Sequence, residues 1–143
     1  MLFHSWDRHR DKGLLILRVG IGIMFVCHGW PKIVGGPEKW TWLGGALKAF
    51  GIGFAPAFWG FMAAVAEFAG GALLALGLFT RPAAFFLLTT MIVAATMHIS
   101  NGDPFMKYSH AVEAGILFLS FLFIGPGKYS LDERLSRGGD RHG

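Results

Sequence analysis

Glu67 is the only charged residue from Phe50 to Phe79. An ionised carboxylate in hydrocarbon costs about 2.5–3.5 kcal/mol even on the lenient insertion scale. It must therefore face inward, pair with a cation or take up a proton. Partners of the right type recur at helical spacing elsewhere. At about 100° per residue, Arg18, Gly22, Phe25, His28, Gly29 and Lys32 fall in one sector about 120° wide. Met91, Ala94, Ala95 and His98 share a second face, and His110, Glu113 and Ser120 a third. A carboxylate and an imidazole beside an apolar cavity suit proton-linked binding of an amphipathic carbonyl compound. Either group can hydrogen-bond a carbonyl oxygen and exchange a proton. A quinone head group is such a compound. A small-solute carrier would use the same groups without redox chemistry.

The elements that must hold these residues follow from composition. The chain has 143 residues, 53% hydrophobic and 15% charged. Globular domains carry about 25% charged residues. Mean hydropathy is +0.49. Glycine, at 21 residues, is frequent in membrane helices. Four apolar segments can be drawn: Gly13–Gly29, Ala57–Phe79, Pro82–Met97 and Ala111–Ile124. A spanning helix needs about 20 residues, so the fourth needs His110 and residues before it. The expectation is an all-α, four-transmembrane-helix bundle, a single membrane domain over 1–136 with a disordered tail at 137–143.

Proline placement supports these bounds. Pro31, Pro37, Pro56, Pro82, Pro104 and Pro126 all lie outside or at the edge of the segments, as expected of a residue that breaks the helical ladder. "TRP" at Thr80–Pro82 reads as a tight turn with Thr80 or Arg81 as cap. "SLDE" at Ser130–Glu133 is a capping box that opens a short polar helix. The long connection Trp30–Pro56 has apolar residues at Trp40, Leu43, Leu47 and Phe50. This spacing predicts an amphipathic segment on the outer surface, acting as a lid over the bundle, with a partner site as the competing reading. A cleavable signal peptide is the competing reading of the first segment, but no small-x-small site follows it.

With four spans, both termini share a side with the turn at 79–82. That side holds Arg8, Arg10, Lys12, Arg81, Lys128, Arg134, Arg137 and Arg141. The other side holds Lys32, Lys39, Lys48 and Lys107. The positive-inside rule then puts both termini in the cytoplasm. The basic pI of about 9.6 reads as topology and contact with anionic lipid; no nucleic-acid module accompanies it.

Depth can be gauged from a rise of about 1.5 Å per residue: Arg18 lies about 9 Å in, Glu67 and Glu113 about 17–18 Å, His28 and His98 about 24 Å. The spacing predicts a buried polar site of Arg18, His28, Lys32, Glu67, His98, His110 and Glu113, with Gly22, Gly29, Gly70 and Gly71 letting helices approach closely. Arg18 with either acid also reads as a pair that only sets helix register. Two histidines at one depth could ligate haem, though nothing else in the chain points to haem. No ligands sit at a metal-type spacing. Cys27 is the only cysteine and reads as a small packed residue. No P-loop, dinucleotide fingerprint or nucleophile elbow is present.

The ordered stretches "LRVGIGIMFVCHGWPK", "AEFAGGALLALGLFTRPAA", "MIVAATMHISNG" and "HAVEAGILFLSFLFIGPGKYSLD" resemble the DoxX family of small four-helix bacterial membrane proteins. The resemblance covers Leu14 to Asp132, and Arg18, His28, Lys32, Glu67, Arg81, His98 and Glu113 match its polar positions. It implies a multi-pass protein of the bacterial inner membrane and a component of an oxidoreductase, with relatives linked to a thiosulfate:quinone oxidoreductase. No defined catalytic set comes with it, and no thiosulfate-handling cysteine is present. The readings are thus a quinone-binding membrane component with redox partner subunits, a small-solute carrier or channel, and a membrane scaffold for soluble enzymes. A homo-oligomer is compatible with each.

Overall fold

The computed structural model describes residues 9–139. It is helical throughout: α1 (Arg10–Ile33), α2 (Gly36–Gly44), a 3-10 turn (Gly45–Phe50), α3 (Pro56–Leu76), α4 (Thr80–Ser100), α5 (Phe105–Ile124) and α6 (Leu131–Gly139). Four of these, α1, α3, α4 and α5, are long and apolar enough to cross a membrane. The fourth span reaches its 20 residues by starting at Phe105, well before Ala111.

Large apolar side chains point outward on every span, among them Ile16, Phe58, Phe85 and Ile116. In water that would be an association hazard; in lipid it is the solvated face. The interior depends on small residues instead. The main seam joins α1 to α3. A Cβ added at Gly22 would lie 2.6 Å from the Gly71 carbonyl oxygen, and one at Gly29 would lie 2.5 Å from the Phe68 backbone nitrogen. Both positions must be glycine for the backbones to approach this closely. On the other side of α3, Gly70 meets only the Leu87 side chain of α4. Phe25 of α1 and Phe118 of α5 stack edge-on at 4.8 Å, closing the ring α1–α3–α4–α5 around Leu74, Leu87, Met91 and Phe118.

The first connection folds more closely than an isolated surface segment. α1 continues through Pro31 to Ile33, so this proline lies inside a helix, four residues beyond the Cys27 carbonyl it cannot bond. The chain then breaks at Gly35 and Gly36, the latter at φ +77°. α2 next runs antiparallel along the first turns of α3. Gly60 fits beneath the Trp40 carbonyl, and Gly44 beneath that of Pro56; a Cβ at either would overlap that oxygen. The Trp40 indole N–H donates to the Lys32 carbonyl at 2.9 Å, tying α2 back to the end of α1. The following 3-10 turn crosses toward α4 and roofs the α3–α4 groove.

The end that carries the termini is stitched by polar contacts. Thr80–Pro82 is not a tight turn but the first turn of α4, the chain reversing at 77–79 instead, and the cap is Phe79, not Thr80 or Arg81. Phe79 adopts a left-handed φ of +47°, and its N–H and that of Thr80 both donate to the Asp132 carboxylate. Asp132 is held by the capping box read from the sequence, with the Glu133 N–H donating to Ser130 Oγ at 3.2 Å. Lys128 N–H donates to Asp11. α6 extends to Gly139, so residues 137–139 are helical; 140–143 of the expected tail lie outside the described residues, as does Arg8.

Candidate functional site

The site forms where α1 stops and α3 is at mid-span. Lys32 stands in the last turn of α1, a place the helix dipole favours for a cation. Its ammonium donates to Glu67 Oε2 at 2.5 Å. Glu67 is 5% exposed, on the buried stripe Gly60, Ala64, Glu67, Gly70, Gly71 and Leu74. Within this stripe Gly71 admits α1, Gly60 admits α2 and Gly70 faces α4, so the acid is enclosed by helices on three sides. The partner of the intramembrane acid is therefore the lysine at the helix break.

This ion pair lies between two spaces. On one side a small vestibule of about 160 Å³ is lined by Phe25, His28, Lys32, Glu67, Met91, Ala94, His98, Lys107, His110 and Ala111. On the other a groove of about 780 Å³ runs between α3 and α4, from Phe79 and Pro82 at the terminal end to Leu47 and Ile52 under the 3-10 roof. Its wall is apolar apart from Lys32, Glu67, Thr89, Thr90 and two tryptophans. The two threonine hydroxyls are spent on carbonyls of their own helix. The buried Trp59 indole N–H has no acceptor among the described residues.

In the vestibule, the His28 and His110 rings lie 5.7 Å apart. His98 Nδ1 lies 2.7 Å from Asp103 Oδ2, and Lys107 donates to the other Asp103 oxygen at 3.0 Å. The His98 and Lys107 hydrogen bonds hold the Asp103 carboxyl below the usual carboxylate range. Asp103 is therefore ionised and accepts from His98 Nδ1–H. This leaves Nε2 as the nitrogen that can exchange a proton.

Five of the seven expected site residues thus meet: His28, Lys32, Glu67, His98 and His110. Two do not. Arg18, 1% exposed, turns toward the terminal end, where Nη2 donates to the Tyr129 carbonyl at 2.8 Å. It packs on Gly77, whose lack of a side chain makes its space. Depth arithmetic put it below the acids, but the fold-back of the chain after α5 supplies nearer acceptors and the Asp132 charge. Glu113 is exposed, because α5 buries the stripe Ala111, Ala114, Gly115, Phe118 and Phe121 instead. Spacing alone does not say which face of a helix turns inward. Cys27 likewise is exposed, not packed. Asp103 and Trp59 were not singled out from the sequence; the Asp103-to-Lys107 spacing of four at a helix start was the only signal available. Among the described residues, no three His, Cys, Asp or Glu side chains converge as a metal site would require.

Comparison with known proteins adds the family. The DoxX family model matches residues 13–99. The inner membrane protein YqjF of Escherichia coli is 31% identical over 135 residues, covering 89% of this chain and 95% of that one. The inner membrane protein YphA of the same organism is 30% identical, covering 92% and 96%. A Bacillus subtilis protein named "Putative oxidoreductase CatD" is 34% identical over 96 residues, covering 67% and 66%. No solved structure gives a significant match.

Proposed function

The chain belongs to the DoxX family, and from that premise we propose that this four-span inner-membrane protein holds a quinone for a redox system. The observation that carries the reading is the position of the Lys32–Glu67 pair. It is the one ion pair on the wall of an otherwise apolar groove, among the described residues. A groove of this volume falls in the ordinary range of ligand sites, about 300–1,000 Å³, with few polar groups fixing orientation. An isoprenoid tail fits the apolar wall between α3 and α4. A ring carbonyl fits the Lys32 ammonium as acceptor.

A bound quinone would supply two-electron carrier chemistry. The residues of this chain supply position and protons. Lys32 donates a hydrogen bond to a carbonyl oxygen, and Glu67 accepts one from a hydroxyl. The 3-10 roof and Leu43, Leu47 and Ile52 exclude water from the groove's outer end. In this reading redox partner subunits give and take the electrons. The exposed Glu113 in mid-span of α5 suits such a contact, since an intramembrane carboxylate calls for a partner. The Lys and Arg bias puts both termini in the cytoplasm.

The test is a redox difference spectrum of the protein purified in native-lipid discs, with quinone measured in the lipid extract. Stoichiometric quinone that is lost in Glu67→Gln is the expected result. A silent spectrum with no enriched quinone in the unchanged protein would sink the reading.

A further inference from the structure

The vestibule has a use that ligand binding in the groove does not require. It reaches the Lys32–Glu67 pair from the side opposite the groove, and its lining is histidine-rich where the groove is apolar. At its outer end stands a histidine whose ring is fixed by a carboxylate from the α4–α5 loop. We propose that the vestibule is a one-sided proton route joining Glu67 to the membrane face opposite the termini, with His98 as relay and Asp103 as the residue that positions it. This rests on the reading that the Lys32–Glu67 pair holds the polar head of the ligand.

Every element around the vestibule contributes a titratable or charged group: His28 and Lys32 from α1, Glu67 from α3, His98 from α4, Asp103 from the loop, Lys107 and His110 from α5. The space of about 160 Å³ admits a short chain of waters, each occupying about 30 Å³ in the liquid. The step is a proton transfer alone. A proton leaves water at the mouth for His98 Nε2 and passes along the waters to a Glu67 carboxylate oxygen. An O–H bond of hydronium breaks as the imidazole N–H forms, and that N–H breaks as the carboxyl O–H forms; no electron moves. Protonation of Glu67 loosens its hold on Lys32 and frees the ammonium for a ligand carbonyl. In the reverse direction a ligand hydroxyl gives its proton to Glu67 and thence to the same face. At the terminal end the groove is bounded by Phe79, Pro82 and Ala83, which offer no such relay.

Sidedness is tested by single cysteines in a Cys27→Ser background, in sealed vesicles of known orientation with a membrane-impermeant thiol reagent. Met91→Cys and Ala111→Cys line the vestibule and not the groove, and Ile92→Cys, on the exposed, lipid-facing side of α4, is the control. The route requires both vestibule positions to react from the face opposite the termini, at least about tenfold faster than the control. Reaction only from the terminal face, or no faster than Ile92→Cys, overturns it.

Positioning is tested by time-resolved infrared spectra of the Glu67 carboxyl band after a pH jump on one face, the band being assigned by its loss in Glu67→Gln. Asp103→Asn is expected to slow the band's appearance roughly tenfold or more, in the range of a lost acid–base relay, and Asp103→Glu to restore it. An unchanged rate in Asp103→Asn overturns the role of Asp103. The readouts separate the two proposals. Unreactive vestibule cysteines with quinone still bound sink the route alone. Reactive cysteines with no quinone bound sink the ligand reading alone.

Discussion

Lys32 and Glu67 meet across 35 positions of sequence, the lysine where α1 breaks and the acid at the middle of α3. The pair is asymmetric. Glu67 is nearly enclosed, with 6% of its side chain exposed, while Lys32 keeps 27%. Removing the lysine strands a buried carboxylate; removing the acid leaves a cation that still reaches water.

Lys32→Met is therefore expected to destabilise more than Glu67→Gln. Breaking a buried pair costs about 3–5 kcal/mol, and the partial exposure of Lys32 brings the expectation down to about 2 kcal/mol. The double substitution Lys32→Met with Glu67→Gln should recover part of that loss. Thermal unfolding of all four proteins in one lipid system measures the cycle. Equal losses in the two single variants would show that the pair carries no such asymmetry.

The two faces of α3 should respond differently to the same methyl group. Gly29→Ala drives a Cβ into the Phe68 backbone, where nothing can yield, and Gly22→Ala does the same at Gly71. Losses at the upper end of overpacking, about 3 kcal/mol or more, are expected. Gly70→Ala meets only the Leu87 side chain, with Cγ at 3.1 Å and its methyls farther off, and should cost well under half of that. Yield of folded protein and melting temperature decide; a Gly70→Ala variant as damaged as Gly29→Ala would contradict the packing described.

Asp132 is expected to give the fold an acid-sensitive clasp. Burial alone would raise its pKa, but the hydrogen bonds from Thr80 and Phe79 outweigh burial, and Arg18 adds attraction. The folded pKa lies below the unfolded value of about 3.9, so the cap stabilises above about pH 4 and is lost as pH falls through the folded value. Asp132→Ala should cost about 1–2 kcal/mol at neutral pH, the worth of a lost N-cap. The gap between variant and unchanged protein should close on acidification. A gap independent of pH would assign the effect to packing.

Glu113→Gln should separate from Glu67→Gln. Glu113 is exposed on the outer side of α5 and lines neither space, so bound quinone should be unchanged. Any partner subunit seated on α5 should be weakened instead, as blue-native electrophoresis of membrane extracts would show. Loss of quinone in Glu113→Gln would contradict the placement of the site.

The four spans, Pro82 in the first turn of its helix and the capping box at Ser130 were legible from residues alone, because each rests on local physics. A bilayer demands long apolar runs, proline ends a hydrogen-bond ladder, and a serine three residues before a glutamate caps a helix. The stripe from Arg18 to Lys32 was legible for the same reason, since helical phase is a property of one segment. What lay beyond the sequence was the relation between segments. Phase says which residues share a face but not which face turns inward, so Glu113 was drawn into a site that α5 turns it away from. Depth counted along separate helices set Arg18 below the acids. It missed the return of the chain after α5, which offers a carbonyl from Tyr129 and a charge from Asp132. Lys32 became the partner of Glu67 only because the glycines of α1 and α3 draw the two backbones together, and His98 gained its orienting carboxylate only when the α4–α5 loop folded back over it. Local sequence determined the helices and the residues able to do chemistry; close approach between helices, which no single segment encodes, decided which of them meet.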